Sequence, residues 1–284
     1  MTSASASEAL LTVKDVRVSF PGKGWRAPRT EVLKGVDLDI RPGETLGLVG
    51  ESGSGKTTIG RAVLGLVPVA SGTITLDGER IDTATTARRR ALSRDLQVIF
   101  QDPYTSLNPS LTIGDTLAEP LLAQGVEARE ARGRVGGLLD RVHLPSDAAR
   151  RLPREFSGGQ RQRVAIARAL ALRPRLVVCD EPVSALDLTT QRTVLDLLLE
   201  IQQETGVSYL FVSHDLSVVR CMSHRVAVIH RGEIVETGEA DHITRTPDHA
   251  YTRTLLLSAP VADVAEQRRR RQLRRQPEQP RQAS

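Results

Sequence analysis

The amino-acid sequence predicts an α/β fold that is built on a largely parallel sheet. In the second half of the chain, apolar strands alternate with helical stretches, which is the pattern of strand–helix–strand units. Thr45–Val49 and Leu176–Cys179 are short and mainly apolar, as expected for strands that are buried on both faces. Aromatic residues make up only 3% of the 284 residues, so we expect a core of Val, Leu, Ile and Ala.

Antiparallel strands are predicted at the start of the chain. Residues 11–20 alternate apolar and polar side chains, which indicates a strand with one exposed face. Pro21–Thr30 is predicted to be a loop, because it contains two prolines and two glycines. The next predicted elements are strand Val36–Ile40, strand Thr45–Val49, helix Ile59–Leu66, a strand from Gly72 to the Asp77-Gly78 turn, and strand Leu96–Phe100.

An all-helical insertion is predicted after Asp102, where the pattern changes. Its helical stretches are Thr112–Gln124 and Ala128–Leu144, and a long helix follows over Gly158–Leu172. The later predicted elements are strands Leu176–Cys179, Ser208–Val212 and Arg225–His230, helix Gln191–Thr205, and helices from Ala240 onward. We therefore expect a core segment (1–102), a helical subdomain (103–157), the rest of the core (158–240), an extension (241–265) and a disordered tail (266–284).

The net charge of +5 belongs to the tail. Residues 266–284 contain seven arginines and two glutamates, whereas residues 1–265 contain 32 basic and 32 acidic side chains. The body carries no net positive charge, unlike a strongly basic nucleic-acid-binding domain, so no specific nucleic acid is expected as a partner. We identify no signal peptide and no apolar run of the roughly 20 residues that span a bilayer. Cys179 and Cys221 have no metal-ligand spacing, which favours a reduced cytosol without a zinc or iron–sulfur site.

Residues Gly50–Thr57 match the phosphate-loop pattern G-x-x-x-x-G-K-[ST] between a predicted strand and a predicted helix. Glycines allow backbone N–H groups to surround a phosphate, and the helix directs the positive end of its dipole at it. Lys56 would contact the β- and γ-phosphates, and the Thr57 hydroxyl would bind Mg²⁺. The alternative is a simple turn. The predicted nucleotide contacts are Gly50, Glu51, Ser52, Gly53, Ser54, Gly55, Lys56, Thr57 and Thr58.

Two acidic residues, Asp180 and Glu181, follow a predicted buried strand. Ligands bind at the carboxyl ends of the strands in open α/β sheets, so both side chains are expected at the nucleotide. Asp180 is predicted to hold Mg²⁺, and Glu181 is predicted to accept a proton from the attacking water. The alternative is that both acids only end the strand.

Phe156-Ser157-Gly158-Gly159-Gln160 opens the long predicted helix, and with it the sequence resembles the ATP-binding cassette (ABC) ATPases. Phe156 stands where that family's Leu-Ser-Gly-Gly-Gln signature has leucine. The resemblance extends from about Leu11 to Pro260 and implies an ABC-type P-loop NTPase core with an antiparallel β subdomain and an inserted helical subdomain. It also implies ATP and Mg²⁺ as ligands.

The resemblance implies further site residues. Gln101 matches the glutamine that contacts Mg²⁺ and senses the γ-phosphate, and His214 matches the switch histidine. Ser184 and Asp187 belong to a segment that matches the D-loop. Phe20 is our choice for the aromatic side chain that stacks on adenine, with Trp25 as the alternative. In this family two cassettes pack head to tail, so Ser157, Gly158, Gly159 and Gln160 would serve the nucleotide of a partner cassette.

Two distant segments look like the oligopeptide/dipeptide importer ATPases, Gln101–Leu121 and Pro247–Leu256. This resemblance implies two transmembrane permease subunits, a second and identical or homologous ATPase chain, an indirect extracytoplasmic substrate-binding protein, and a place at the cytoplasmic face of the membrane. Tyr104, Leu107 and Leu111 are candidate permease contacts, with ordinary packing as the alternative. The open alternatives for the function are transport of nickel or another solute, a soluble nucleic-acid-associated ABC protein, and a non-enzymatic binding module. The basic tail is either solubilising or in contact with anionic lipid.

Overall fold

The computed structural model describes residues 9–22, 28–102, 104 and 106–258. Trp25 and the tail (266–284) lie outside these described residues. The strands within them are β1 (Leu11–Phe20), β2 (Thr30–Ile40), β3 (Thr45–Val49), β4 (Ser71–Leu76), β5 (Glu79–Arg80), β6 (Leu96–Ile99), β7 (Leu176–Asp180), β8 (Ser208–Val212), β9 (Arg225–His230) and β10 (Glu233–Glu239). The α-helices are α1 (Lys56–Val63), α2 (Thr86–Leu92), α3 (Ile113–Ala123), α4 (Ala128–Arg141), α5 (Gly158–Leu170), α6 (Leu188–Thr205), α7 (Leu216–Met222), α8 (Ala240–Arg245) and α9 (Ala250–Ser258).

The described strands form two sheets. The first sheet is antiparallel and has the order β2-β1-β4-β5, with Leu11 opposite Ile40 on one side and Leu76 on the other. The second sheet has the order β10-β9-β3-β8-β7-β6, in which all neighbours are parallel except the β10–β9 pair at the edge. The predicted α/β class, with a largely parallel sheet and additional antiparallel strands, is confirmed.

The core lies on both faces of the larger sheet. Along β7, Leu176 and Val178 contribute to the apolar cluster shared with the antiparallel sheet, whereas Val177 and Cys179 contribute to the cluster shared with helices α3 to α6. Successive side chains of a strand point to opposite faces, so a strand covered on both sides must be apolar throughout. This arrangement explains the apolar runs in the sequence and brings the carboxyl ends of β3 and β7 to one edge.

Several boundaries differ from the prediction. Strand β2 begins at Thr30 rather than Val36, and α1 begins at Lys56 rather than Ile59. Helices α2 and α7 and strand β10 were not predicted. Helices α2 and α7 each have only seven residues, and β10 carries charged residues on an exposed edge, so none of them has a long apolar period.

The helical region after Asp102 contains α3 and α4, which pack against each other and against α5. Leu107 is buried in the core of this region, so its predicted role as a permease contact is wrong and the packing alternative applies. Tyr104 is exposed, and Leu111 is half-buried. Among the described helices, none combines the length and the apolar character that crossing a membrane requires.

Candidate nucleotide-binding site

The phosphate loop lies between the end of β3 and the start of α1. Gly55, just before the helix, adopts the left-handed conformation with φ of 114°, and a Cβ there would lie 2.8 Å from Leu33 Cδ2. A side chain at Gly50 would collide with Ile229 O at 2.2 Å. The glycines therefore allow the loop to curl closely against β2 and β9. The N-terminus of α1 faces the same region, where its dipole favours an anion.

Lys56 holds the loop in its curled shape. Its Nζ donates hydrogen bonds to Gly50 O at 2.8 Å and to Glu51 O at 2.9 Å. Burial lowers the pKa of Lys56, and the carboxylates of Glu181, Asp180 and Glu51 oppose this shift. A partly desolvated ammonium group of this kind interacts strongly with an anion that enters the loop.

Thr57 and Asp180 meet at the carboxyl end of β7. The Thr57 hydroxyl donates to Asp180 Oδ1 at 3.0 Å. Burial is the main cause that raises the pKa of Asp180, and Thr57, Arg61 and Lys56 oppose the shift. A hydroxyl oxygen next to a half-buried carboxylate is a suitable pair of hard ligands for Mg²⁺.

Glu181 has a left-handed backbone, with φ of 51°, directly after β7. Its N–H donates to Val212 O at 3.0 Å, which fixes this turn against the end of β8. Its Oε1 lies 3.2 Å from Nδ1 of His214, and the Glu181 side chain is 17% exposed whereas that of His214 is 59% exposed. A partly shielded carboxylate with a neighbouring imidazole can accept a proton from water.

An open cavity of about 510 Å³ collects most of these groups. Its lining residues are Val32, Ser52, Gly53, Gly55, Lys56, Thr57, Thr58, Gln101 and Glu181. The structure therefore brings together residues from the loop, from the end of β6 and from the end of β7, as the sequence predicts. Sequence reasoning missed Val32, because it lies between the predicted loop Pro21–Thr30 and the predicted strand Val36–Ile40 and was assigned to neither.

The donor set fits a nucleoside triphosphate with Mg²⁺. The Ser54 hydroxyl is buried and has no hydrogen-bond partner among the described residues, but it is not part of the cavity lining. Gly53 leaves open space in the loop, since a Cβ there would meet no atom of the described part of the chain within 4 Å, and Lys56 supplies positive charge. Thr57, Asp180 and Gln101 offer the oxygen ligands that Mg²⁺ prefers.

The predicted adenine-stacking aromatic is not in this cavity. Phe20 is 37% exposed at the end of β1, where it lies opposite Thr30 of β2. Phe20 is absent from the described lining of the cavity, although this lining includes Val32, two positions after Thr30 on β2. Phe20 remains a prediction, and the alternative, Trp25, lies outside the described residues.

The signature turn lies at the start of α5. The Ser157 hydroxyl accepts from Gln160 N at 3.3 Å, and Gln160 Oε1 accepts from Ser157 N at 2.9 Å, which forms a reciprocal cap. A Cβ on Gly159 would lie 2.2 Å from Thr190 Cγ2, and Asp187 caps α6 through the same Thr190. The signature is thus packed against the segment that resembles the D-loop.

This second group of predicted residues is separate from the cavity. Neither residues 157–160 nor Ser184 and Asp187 belong to its described lining. The Ser184 hydroxyl instead donates to Glu181 O at 3.1 Å, which connects the two groups through the backbone after β7. Within one chain, the phosphate loop and the signature therefore lie at two separate places.

Residues 33–184 match the protein family described as ABC transporter. Two curated relatives are glutathione import ATP-binding proteins called GsiA. The protein from Escherichia coli O6:H1 is 49% identical over 271 residues, and that from Pectobacterium atrosepticum is 50% identical over 268 residues. The matches cover 94% and 93% of this chain but only 44% and 43% of the relatives, so the chain spans less than half of their length.

Solved structures show the same architecture. The ATP-binding cassette MJ0796, a dimer in a post-hydrolysis state with ADP and Pi bound, is 30% identical and superposes with a TM-score of 0.72 over 81% of this chain and 98% of that one. The cbiO1 protein from Clostridium perfringens, part of the ABC transporter complex cbiONQ, is 26% identical with a TM-score of 0.73 over 83% and 90%. These matches confirm the predicted fold.

Proposed function

The chain belongs to the ABC transporter family, and we propose that it is the ATP-hydrolysing subunit of an importer for di- and oligopeptides. One observation carries the ATPase assignment: the phosphate loop, Lys56, Thr57, Gln101 and Glu181 line one cavity. The relatives named for glutathione import support the cargo class, because glutathione is a short peptide.

Binding of ATP would use the phosphate loop together with Gln101 and Asp180. Lys56 now interacts with the carbonyls of Gly50 and Glu51, and its ammonium group would turn toward the phosphate oxygens. Thr57, Gln101 and Asp180 would hold Mg²⁺, which when bound neutralises charge on the β- and γ-phosphates.

Hydrolysis requires a base on the γ-phosphate side of the cavity. Glu181 lines the cavity, and its carboxylate would accept a proton from the water that attacks the γ-phosphate. His214 lies 3.2 Å from this carboxylate and would orient it. The hydrogen bond from Glu181 N–H to Val212 O holds the backbone of this residue in place beside the cavity.

The complete site is proposed to form between two cassettes. The signature residues 157–160 would complete the phosphate site of a partner, because they form the positive N-terminal end of α5 and lie outside the cavity lining of their own chain. The dimeric structure of the similar cassette supports this arrangement. The partner cassette is either a second copy or a homologous chain.

The transport machinery is proposed from the same relationship. Two transmembrane permease subunits would bind the cassette pair at the cytoplasmic face of the membrane, with Tyr104 and Leu111 as candidate contacts. An extracytoplasmic binding protein would deliver the peptide to the permease. The basic tail (266–284) would contact anionic headgroups, at about 1 kcal/mol per basic residue near the surface. Deleting residues 266–284 should then weaken binding of the chain to anionic liposomes, and unchanged binding would exclude this contact.

The decisive experiment uses the membrane complex that co-purifies with the chain. ATP hydrolysis and uptake are measured with a dipeptide, an oligopeptide, glutathione and nickel as separate cargoes. We expect Mg²⁺-dependent hydrolysis and ATP-dependent uptake of at least one peptide. Uptake of nickel alone would overturn the cargo assignment, and a complex that binds no ATP would overturn the ATPase assignment.

A further inference from the structure

Tyr251, in the first turn of α9, touches the phosphate loop although it is 200 residues away in the sequence. Its phenolic oxygen accepts a hydrogen bond from Glu51 N–H at 3.2 Å. Its ring stacks on that of His230, at the end of β9, with 3.9 Å between the ring centroids and 21° between the planes. The extension after β10 therefore reaches back to the nucleotide-binding site.

The chain around Tyr251 is held in place by its own contacts. Asp248 N donates to Glu236 Oε1 of β10 at 2.7 Å, and the Asp248 carboxylate lies 3.0 Å from Nε2 of His242. The Arg253 guanidinium donates to Asp248 O at 2.7 Å, and Thr252 is fully buried. Since these contacts fix the loop before α9 and its first turn, the Tyr251 hydroxyl approaches the loop from a defined direction.

The contact with Glu51 involves the peptide group that also holds Lys56. The N–H of Glu51 and the C=O of Gly50 belong to one planar peptide unit. Tyr251 binds the N–H side of this unit, and Lys56 Nζ binds its carbonyl oxygen at 2.8 Å. A rotation of the unit would break both hydrogen bonds, so the Tyr251 hydroxyl restrains the atom that positions Lys56.

We propose that Tyr251 is a positioning residue for the phosphate loop, and that it couples nucleotide binding to the docking of α9. The hydroxyl fixes the Gly50–Glu51 peptide in the orientation that the loop requires, and it does not touch the nucleotide itself. Because coupling between two sites is reciprocal, a nucleotide in the loop must also stabilise the docking of α9. The proposal rests on the proposed function, since it assumes that the loop binds ATP.

The test variant is Tyr251→Phe, which removes the hydroxyl and keeps the ring stacked on His230. Loss of one hydrogen bond predicts that the Kd for a non-hydrolysable ATP analogue with Mg²⁺ rises by about threefold to tenfold. The KM for ATP should rise with it while kcat is retained, because Glu181 and His214 are unchanged. The matched control is Ser258→Ala, which removes a hydroxyl that donates to Thr254 O at 2.7 Å within α9 and is remote from the loop.

Amide hydrogen exchange separates this role from general stability and from the proposed function. In the nucleotide-free protein, Tyr251→Phe should speed exchange at Glu51 N–H, and Ser258→Ala should not. In the wild-type chain, the ATP analogue should slow exchange over Ala250–Ser258, and in Tyr251→Phe this effect should be smaller. If the wild type binds no nucleotide, the proposed function fails, yet the nucleotide-free measurement still tests the restraint. The inference is overturned if Tyr251→Phe leaves the exchange at Glu51 N–H unchanged. It is also overturned if the wild type binds ATP and Tyr251→Phe binds it with the same Kd.

Discussion

Glu181→Gln separates a catalytic role of this side chain from a structural one. The substitution keeps the shape of the side chain and removes its negative charge and its basicity. The backbone N–H of Glu181 donates to Val212 O and is not affected, so the turn after β7 should remain in place. Any large effect on hydrolysis must therefore come from the carboxylate itself.

The two roles differ in magnitude. If Glu181 is the general base, hydrolysis should fall by about 10²-fold to 10⁴-fold. If it only pairs with His214, the loss is small, because the histidine is 59% exposed and such pairs contribute about 0–1 kcal/mol, or at most about fivefold. ATP should bind at least as tightly as before, since a carboxylate that interacts with Lys56 no longer repels the phosphates.

The assay measures single-turnover hydrolysis and ATP retention in the assembled complex. The expected result is tight ATP binding with hydrolysis reduced by at least about a hundredfold. The matched control is Glu200→Gln, because Glu200 also lies beside a histidine, with its Oε1 3.6 Å from His143 Nε2, but belongs to α6 outside the site. A loss below about fivefold in Glu181→Gln would refute the general-base assignment.

Three further results are expected. Lys56→Ala should weaken ATP binding by about tenfold to a hundredfold, as measured by equilibrium binding, because a charge-assisted contact is lost; an unchanged Kd would contradict the phosphate-loop assignment. Arg225→Met should lower the free energy of unfolding in urea by about 3 kcal/mol, because the buried Glu44 carboxylate loses its charged partner. This carboxylate is 6% exposed and lies 3.2 Å from Arg225. A loss below about 1 kcal/mol would contradict this reasoning and mean that water or the backbone compensates. A thiol reagent should modify Cys221, which is exposed, in the native chain and Cys179 only after denaturation, because Cys179 is buried and burial raises the pKa of its thiol; two fast thiols in the native chain would contradict the buried position of β7.

The phosphate loop and the acids after β7 could be predicted because their signals are local. The spacing of Gly50, Gly55 and Lys56 encodes the turn and the start of α1 within eight residues. Asp180 and Glu181 follow an apolar run that a parallel sheet needs. That these segments face one cavity follows from a general rule, since the carboxyl ends of parallel strands lie at one edge.

Elements without a long apolar period could not be predicted in the same way. The early part of β2 follows Pro28 and carries polar residues, so residues 31–35 give no clear strand pattern and Val32 was missed. The sequence did contain one signal for α7, since Asp215 is a residue type that favours the N-cap, and in the structure it accepts a hydrogen bond from Ser217 N at 2.8 Å. However, the seven residues of α7 make too few turns to show a periodic apolar pattern. Leu107 shows the opposite error, since the family resemblance of its segment suggested a permease contact, whereas the side chain is buried and the packing alternative applies.

The contact between Tyr251 and Glu51 is of a different kind, because no local pattern encodes it. It depends on the position of β9 beside β3, which places His230 near the loop, and on the Asp248–Glu236 hydrogen bond, which turns the chain back toward it. Each of these contacts is weak alone, and their effect arises because they restrain one peptide unit from a fixed direction. If that restraint acts as we propose, removing the hydrogen bond between Asp248 and Glu236 should weaken ATP binding even with the Tyr251 hydroxyl intact. Because both changes act through the same Gly50–Glu51 peptide, a double variant with Tyr251→Phe should lose less ATP-binding free energy than the sum of the two single losses.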